Sequence, residues 1–209
     1  MNILVVSKGI IHPSFLSRKC LNLLLKKLGN GFTLNIAASL KGLNKLGEGN
    51  YDAVILYYHE KNISSELFDC IRKFTENGGG VLALHSSMAS FKQNTRYQEL
   101  LGGKFESHDK IKTIDVFARD KDHPIAEGID GFTVRDELYI HECHQDIEVV
   151  LACENNGWAE PVLWTKNYGR GRVCYFAPGH CPNVWLNSAV RKVIHNSLLW
   201  VGRREDRNA

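Results

Sequence analysis

The sequence has no C-x-x-C pair, although it holds six cysteines. Cys20, Cys70, Cys143, Cys153, Cys174 and Cys181 follow no disulfide-framework spacing, so they read as small apolar residues in a reducing compartment. Charge of one sign is not in excess. With 26 basic and 23 acidic residues the net charge is +3, which supplies no field to draw nucleic acid or a membrane, and any charged ligand must be recognised locally. The start, Asn2-Ile3-Leu4-Val5-Val6, has neither a basic leader nor a small-residue cleavage site and is far too short to cross a bilayer, so the expectation is a cytoplasmic protein. No G-x-G-x-x-G opens a helix after the first strand, which argues against nicotinamide binding, and no G-x-S-x-G elbow occurs. Repeats, low-complexity segments and linkers are absent as well.

What is present is an apolar pattern long enough for one core. A chain of 209 residues with 44% hydrophobic content is read as a single domain, 1–209, which at this size buries about 70% of its unfolded surface. Short apolar runs at 2–7, 32–38, 53–58 and 81–85 are strands. Between them a helix runs from Ser14 to about Leu28, with Phe15, Cys20, Leu21, Leu24, Leu25 and Leu28 at helical spacing, and a second runs from its cap at Ser64 to about Asn77. This β-α-β alternation calls for right-handed crossovers and a parallel sheet. From 111 to 176 the pattern becomes strands without long helices: 111–118, 132–141, 148–153, 162–164 and 172–177, with a hairpin turn at Asn167-Tyr168-Gly169-Arg170-Gly171. A last helix at about 184–201 carries Leu186, Val190, Val193, Ile194, Leu198 and Val201 as one stripe. The fold class is therefore α/β: a three-layer, doubly wound, flavodoxin-like and mostly parallel sheet with a mixed or antiparallel extension.

In open parallel sheets ligands bind beyond the carboxyl ends of the strands. His12 follows strand one, His59 ends strand three, His85 ends strand four and His180 follows the last strand, so four of nine histidines fall at that edge. Imidazoles there can act as general bases or as neutral metal ligands. In Asp136-Glu137-Leu138-Tyr139-Ile140-His141, strand alternation puts Glu137, Tyr139 and His141 on one face, and Glu137 can bring a carboxylate to the histidines. His141-Glu142-Cys143-His144 has no standard zinc spacing and reads as coincidence. Arg170 and Arg172 flank the glycine turn as solubilising charges or an anion site, and His195 reads as solvated.

Ordered along the chain are Gly79-Gly80-Val81-Leu82-Ala83-Leu84-His85-Ser86, Leu101-Gly102-Gly103-Lys104-Phe105 with His108, and Asp122-His123-Pro124-Ile125. Asp136-Glu137-Leu138-Tyr139, Pro161-Val162-Leu163-Trp164, Tyr168-Gly169-Arg170-Gly171-Arg172-Val173 and Gly179-His180 follow. This ordered set resembles the ThuA-like (trehalose utilisation) family throughout. The resemblance implies the fold of the class I glutamine amidotransferases and a connection with trehalose and related disaccharides. Those amidotransferases need a cysteine at the turn where this chain has His85 and Ser86, with a histidine where His180 stands, so glutaminase activity is not expected. Association of the family with sugar oxidoreductases implies work on an oxidised or keto form of a sugar.

The leading expectation is a small-molecule enzyme or enzyme component of carbohydrate metabolism. His85, His180 and Glu137 are its catalytic candidates, and His12, His59, Ser86 and His108 line the substrate pocket. The alternative is a non-catalytic sugar-binding or oxidoreductase-partner scaffold. Hydrolysis by Ser86 with His180 as base ranks below both, because no orienting acid or oxyanion hole is displayed. No cofactor is specified. Imidazoles with a carboxylate suit a divalent metal such as zinc, nickel or iron, with His85, His180 and His59 the candidate ligands. The expected partners are a small-molecule sugar and, on the second reading, an oxidoreductase; neither nucleic acid nor membrane is expected, and a homo-oligomer is compatible.

Overall fold

The computed structural model describes residues 1–9 and 13–202. The chain forms a mixed α/β fold around one large sheet. Its first half supplies strands β1 (Asn2–Lys8), β2 (Thr33–Ala37), β3 (Ala53–Tyr58) and β4 (Gly80–Leu84), alternating with helices α1 (Phe15–Lys26), α2 (Lys45–Glu48) and α3 (Ser65–Glu76). Helix α4 (Thr95–Leu101) and strands β5 (Gly103–His108), β6 (Lys112–Ala118), β7 (Gly131–Asp136) and β8 (Tyr139–Cys143) follow. Strands β9 (Glu148–Asn155), β10 (Trp158–Tyr168) and β11 (Gly171–Phe176) and helix α5 (Ser188–Val201) complete the order.

Nine strands pair in the order β2-β1-β3-β4-β11-β10-β9-β6-β7, while β5 and β8 form a separate antiparallel pair. Pairing is parallel from β2 through β11 and antiparallel beyond. The central parallel strands β1, β3, β4 and β11 are apolar on both faces because helices cover both, while the edge strand β2 is largely exposed. Ile3, Val5, Ile55 and Leu82 meet α1 and α5 in one core, and Leu4, Val6, Val54 and Leu56 meet α3 and α4 in the other. Since β11 lies beside β4, Phe176 pairs with Leu84 and both strands end at one edge.

Local signals explain the helix starts. Ser14 and Ser64 accept from the amides of Ser17 and Leu67, and Asn187 accepts from Ala189 and Val190, each satisfying donors left open in a first turn. The hairpin turn falls where glycine allows it, with Gly169 at φ 60° between β10 and β11.

Three expectations are corrected, and two elements are added to them. Leu186 lies before α5, in the turn Pro182–Leu186, and is 68% exposed, because Asn187 caps the helix after it. Phe15 is 62% exposed at the first position of α1, outside the stripe that packs on the sheet. The strand read as 132–141 is two strands in different sheets, broken at Glu137 and Leu138. Helix α4 and strand β5 were not foreseen; Asn94 caps the helix at the Tyr97 amide and Gly102 ends it in the left-handed conformation. No helix among the described residues is long and apolar enough to cross a membrane.

Candidate functional site

Strand β4 ends in a sharp turn at His85, whose φ of 44° is a left-handed conformation that a bulky side chain rarely adopts. Such a backbone costs on the order of 1–3 kcal/mol and persists only where its surroundings hold it. Here they do. The His85 ring is fully buried, its Nδ1 lies 2.9 Å from the Ala177 carbonyl, and its carbonyl accepts from the Tyr175 hydroxyl at 3.1 Å. A carbonyl can only accept, so Nδ1 carries a proton, and in the neutral form of the ring Nε2 is the acceptor nitrogen. Tyr139 covers the ring with centroids 4.3 Å apart.

The opposite wall is the loop Gly179-His180-Cys181 after β11. Asp136, the last residue of β7, holds it in place. Its buried carboxylate accepts from the amides of Gly179 at 2.6 Å, His180 at 3.1 Å and Cys181 at 2.8 Å. Burial pushes the Asp136 carboxyl above its ordinary range, and the three amides oppose that shift. Tyr57, from the end of β3, donates to the Gly179 carbonyl at 2.5 Å, and burial keeps its phenol protonated. Gly179 is required by close approach: a Cβ there would lie 2.8 Å from the His85 Cβ and 2.7 Å from the Trp185 ring.

Between these walls stands Glu137. Its Oε2 is 3.3 Å from His180 Nδ1 and 3.9 Å from His85 Nε2, and its Oε1 is 3.9 Å from His108 Nδ1. The reason is the strand break. Asp136 turns inward to the amides and Glu137 follows it into the cleft, so the two adjacent carboxylates serve one site from different sides. Among the described residues, His85, Glu137 and His180 are the histidine, cysteine and acidic side chains close enough together to share an ion, with one ligand atom of each within 4.8 Å of the others.

The structure thus brings together the three catalytic candidates, with His108 at the rim, half exposed and stacked on Tyr139 at 5.8 Å. The remaining candidates lie outside that three-residue grouping or outside the described residues. His59 is exposed outside that grouping, beside Lys92 and Glu60, and desolvation pulls its imidazole below 6.5 with help from Lys92. Ser86 is buried, and its Oγ makes no hydrogen bond with the described residues. His12 lies outside the described residues. His141 is not a ligand but a support, its Nε2 lying 3.2 Å from the Tyr175 hydroxyl that holds the His85 carbonyl. Arg172 lies over the Trp200 ring, and Arg170 donates to Asn77. Cys181 offers no nucleophile, since burial pushes its thiol to about 11.

Sequence reasoning missed Asp136, Tyr57, Tyr139 and Tyr175 as builders of the site. Asp136 left a signal, a second carboxylate beside Glu137 where a strand ends. The tyrosines left none, because in strand runs they cannot be told from core filling.

An open α/β sheet with a histidine–carboxylate cleft at its carboxyl edge, and no thiol nucleophile there, defines the class of this protein. Over residues 2–201 the chain matches the ThuA family, described as trehalose utilisation, and it belongs to that family. No curated protein matches it. Among solved structures it is similar to a protein described as ThuA-like from Bacteroides uniformis ATCC 8492, with TM-score 0.81 and 21% identity over 96% of this chain and 91% of that one. A second protein so described, from Parabacteroides merdae ATCC 43184, gives TM-score 0.80 and 17% identity over 96% and 89%. A protein from Salmonella typhimurium described as cytoplasmic gives 0.68 and 16% over 96% and 98%. At these identities the likeness concerns the fold.

Proposed function

We propose that this chain is an enzyme or enzyme component of carbohydrate utilisation, folded as one domain, whose chemistry is proton transfer at His85, Glu137 and His180. The family supports a carbohydrate-related role. One observation carries the rest: the Glu137 carboxylate lies against both imidazoles at the edge where β4 and β11 end. An imidazole with its acceptor nitrogen turned to the cleft, beside a carboxylate and a second imidazole, can take a proton at one point of a substrate and return one at another. A keto-sugar fits such a site, because the carbon next to its carbonyl is acidic enough for an imidazole or carboxylate base. Glutamine hydrolysis does not fit, for want of a thiolate. The flavodoxin-type winding and the amidotransferase-like ancestry of the His85 turn belong to the same reading, which the strand order β2-β1-β3-β4-β11 supports.

The test is a thermal-shift and proton NMR screen with trehalose, glucose and their keto derivatives, on wild type and Glu137→Gln. A sugar at a hundredfold excess over its Kd stabilises the fold by about 2.7 kcal/mol, and at this chain length that raises Tm by roughly 5–10 °C. The proposal expects that response, with conversion or carbon-bound proton exchange, in wild type alone. No response to any sugar, or equal responses in both proteins, overturns it.

One observation favours a partner-binding scaffold as the second reading. Phe15 and Leu16 of α1 and Leu186 of the 182–186 turn, on elements packed together beside His180, are all more than half exposed. A sugar bound without any conversion or exchange favours it.

A further inference from the structure

We propose that His85 Nε2, His180 Nδ1 and Glu137 Oε2 hold one divalent transition-metal ion of the zinc and iron(II) kind. The inference rests on reading these residues as one site, not on the substrate being a sugar; an ion held at these three atoms takes up their lone pairs, so in the loaded protein proton transfer falls to Glu137 Oε1 and the His108 it faces. Four observations carry it.

The first is spacing. An ion about 2.0–2.2 Å from each donor sets neighbouring donors roughly 3.0–3.5 Å apart. His180 Nδ1 and Glu137 Oε2 already meet that at 3.3 Å, His85 Nε2 lies 3.9 Å from Oε2, and all three donor atoms lie within 4.8 Å of one another, so the imidazoles close in on an ion by a small adjustment. The second is what Glu137 lacks. Its Oε2 is buried and makes no hydrogen bond with the described residues, although two imidazoles face it. A buried acceptor left so is costly, and an imidazole–carboxylate hydrogen bond, the simpler account of the cluster, is not formed here.

The third is the outer shell. A metal-binding histidine characteristically donates its other nitrogen to a carbonyl or carboxylate, which fixes the tautomer. His85 Nδ1 does this to Ala177 at 2.9 Å. The His180 main chain is clamped by the Asp136 carboxylate, and the second Glu137 oxygen faces His108, leaving Oε2 for the ion. The fourth is donor type. Two imidazoles and one carboxylate, without thiolate, select zinc, iron(II) or cobalt over the oxygen-seeking calcium and magnesium. Three donors among the described residues match the number of protein ligands that catalytic zinc sites use.

The experiment uses the full chain, untagged and stripped with chelator, titrated with Zn2+ by calorimetry and with Co2+ by visible absorption. Wild type and the control His144→Ala should each take up one ion per chain, with a d–d band for Co2+, and equimolar Mg2+ should not displace it. His180→Ala and Glu137→Gln, which leave the buried His85 turn intact, should each bind at least a hundredfold more weakly. Absence of saturable one-to-one uptake by wild type, displacement by Mg2+, or undiminished uptake in both variants overturns the proposal. A sugar thermal shift on the stripped and loaded protein separates the two readings. Metal uptake with no sugar response sinks the carbohydrate reading alone, and a sugar response in a protein that takes up no metal sinks the metal alone.

Discussion

Gly179→Ala should damage both the fold and the site. The added Cβ would lie 2.7 Å from Trp185 Cζ2 and 2.8 Å from His85 Cβ, where ordinary carbon contacts are about 3.5–4.0 Å. Neither neighbour is a flexible chain end: Trp185 packs edge-on against Tyr57 at 5.4 Å, and the His85 Cβ belongs to a strained turn. The glycine cannot slide away either, since its amide is bound to Asp136 and its carbonyl to Tyr57. Overpacking costs about 1–3 kcal/mol, and relief by backbone movement would weaken a charge-assisted hydrogen bond of about 1.5–3 kcal/mol. The expected loss is therefore about 2–4 kcal/mol. Urea denaturation should show it as a lower midpoint at unchanged slope. Gly47→Ala is the control, because it sits in α2 with nothing within 4 Å of the new Cβ, and it should stabilise slightly. Wild-type stability of Gly179→Ala, or an equal loss in Gly47→Ala, would refute the reasoning.

Asp136→Ala strands three amides, two of them buried, and should cost about 3 kcal/mol or more, with sugar and metal responses lost in the fraction that still folds, as calorimetry on the refolded variant would show. Stability should fall as pH drops from 7 towards 5 in part because of His123, whose Nδ1 caps the Ile125 amide and whose imidazole burial holds below 6.5. As pH falls below the ordinary 6.5 the unfolded chain takes up the proton before the folded one, so stability falls with falling pH, and His123→Asn should flatten that slope in urea melts. Thiol titration of the denatured chain should report all six cysteines, whereas in the native state Cys70 and Cys143 should react ahead of the four buried ones. Burial pushes the Cys143 thiol to about 11, which makes Cys70 the faster of the two.

The parallel half of the fold was legible because its central strands are buried on both faces and two of its helices carry serine caps, features written in short stretches of sequence. Between 95 and 145 the strand expected at 111–118 is β6, but the elements around it were not legible. Strand β5 pairs with β8 outside the main sheet, and helix α4 is only seven residues long, so neither repeats a pattern long enough to stand out. His85 and His180 could be placed at one edge from strand ends alone. Glu137 was placed beside them by strand alternation, yet it arrives because the strand stops at Asp136. The Asp136 clamp depends on amides far away in sequence, which local patterns do not reveal.

The central claim is that His85, Glu137 and His180 form one site. Side-chain 15N NMR of the histidines tests it without a ligand, by comparing wild type with Glu137→Gln. The account predicts that the His85 and His180 ring nitrogens shift together while those of His123, His144 and His195 stay in place. Unmoved His85 and His180 resonances, or a shift spread evenly over all the histidines, would contradict it.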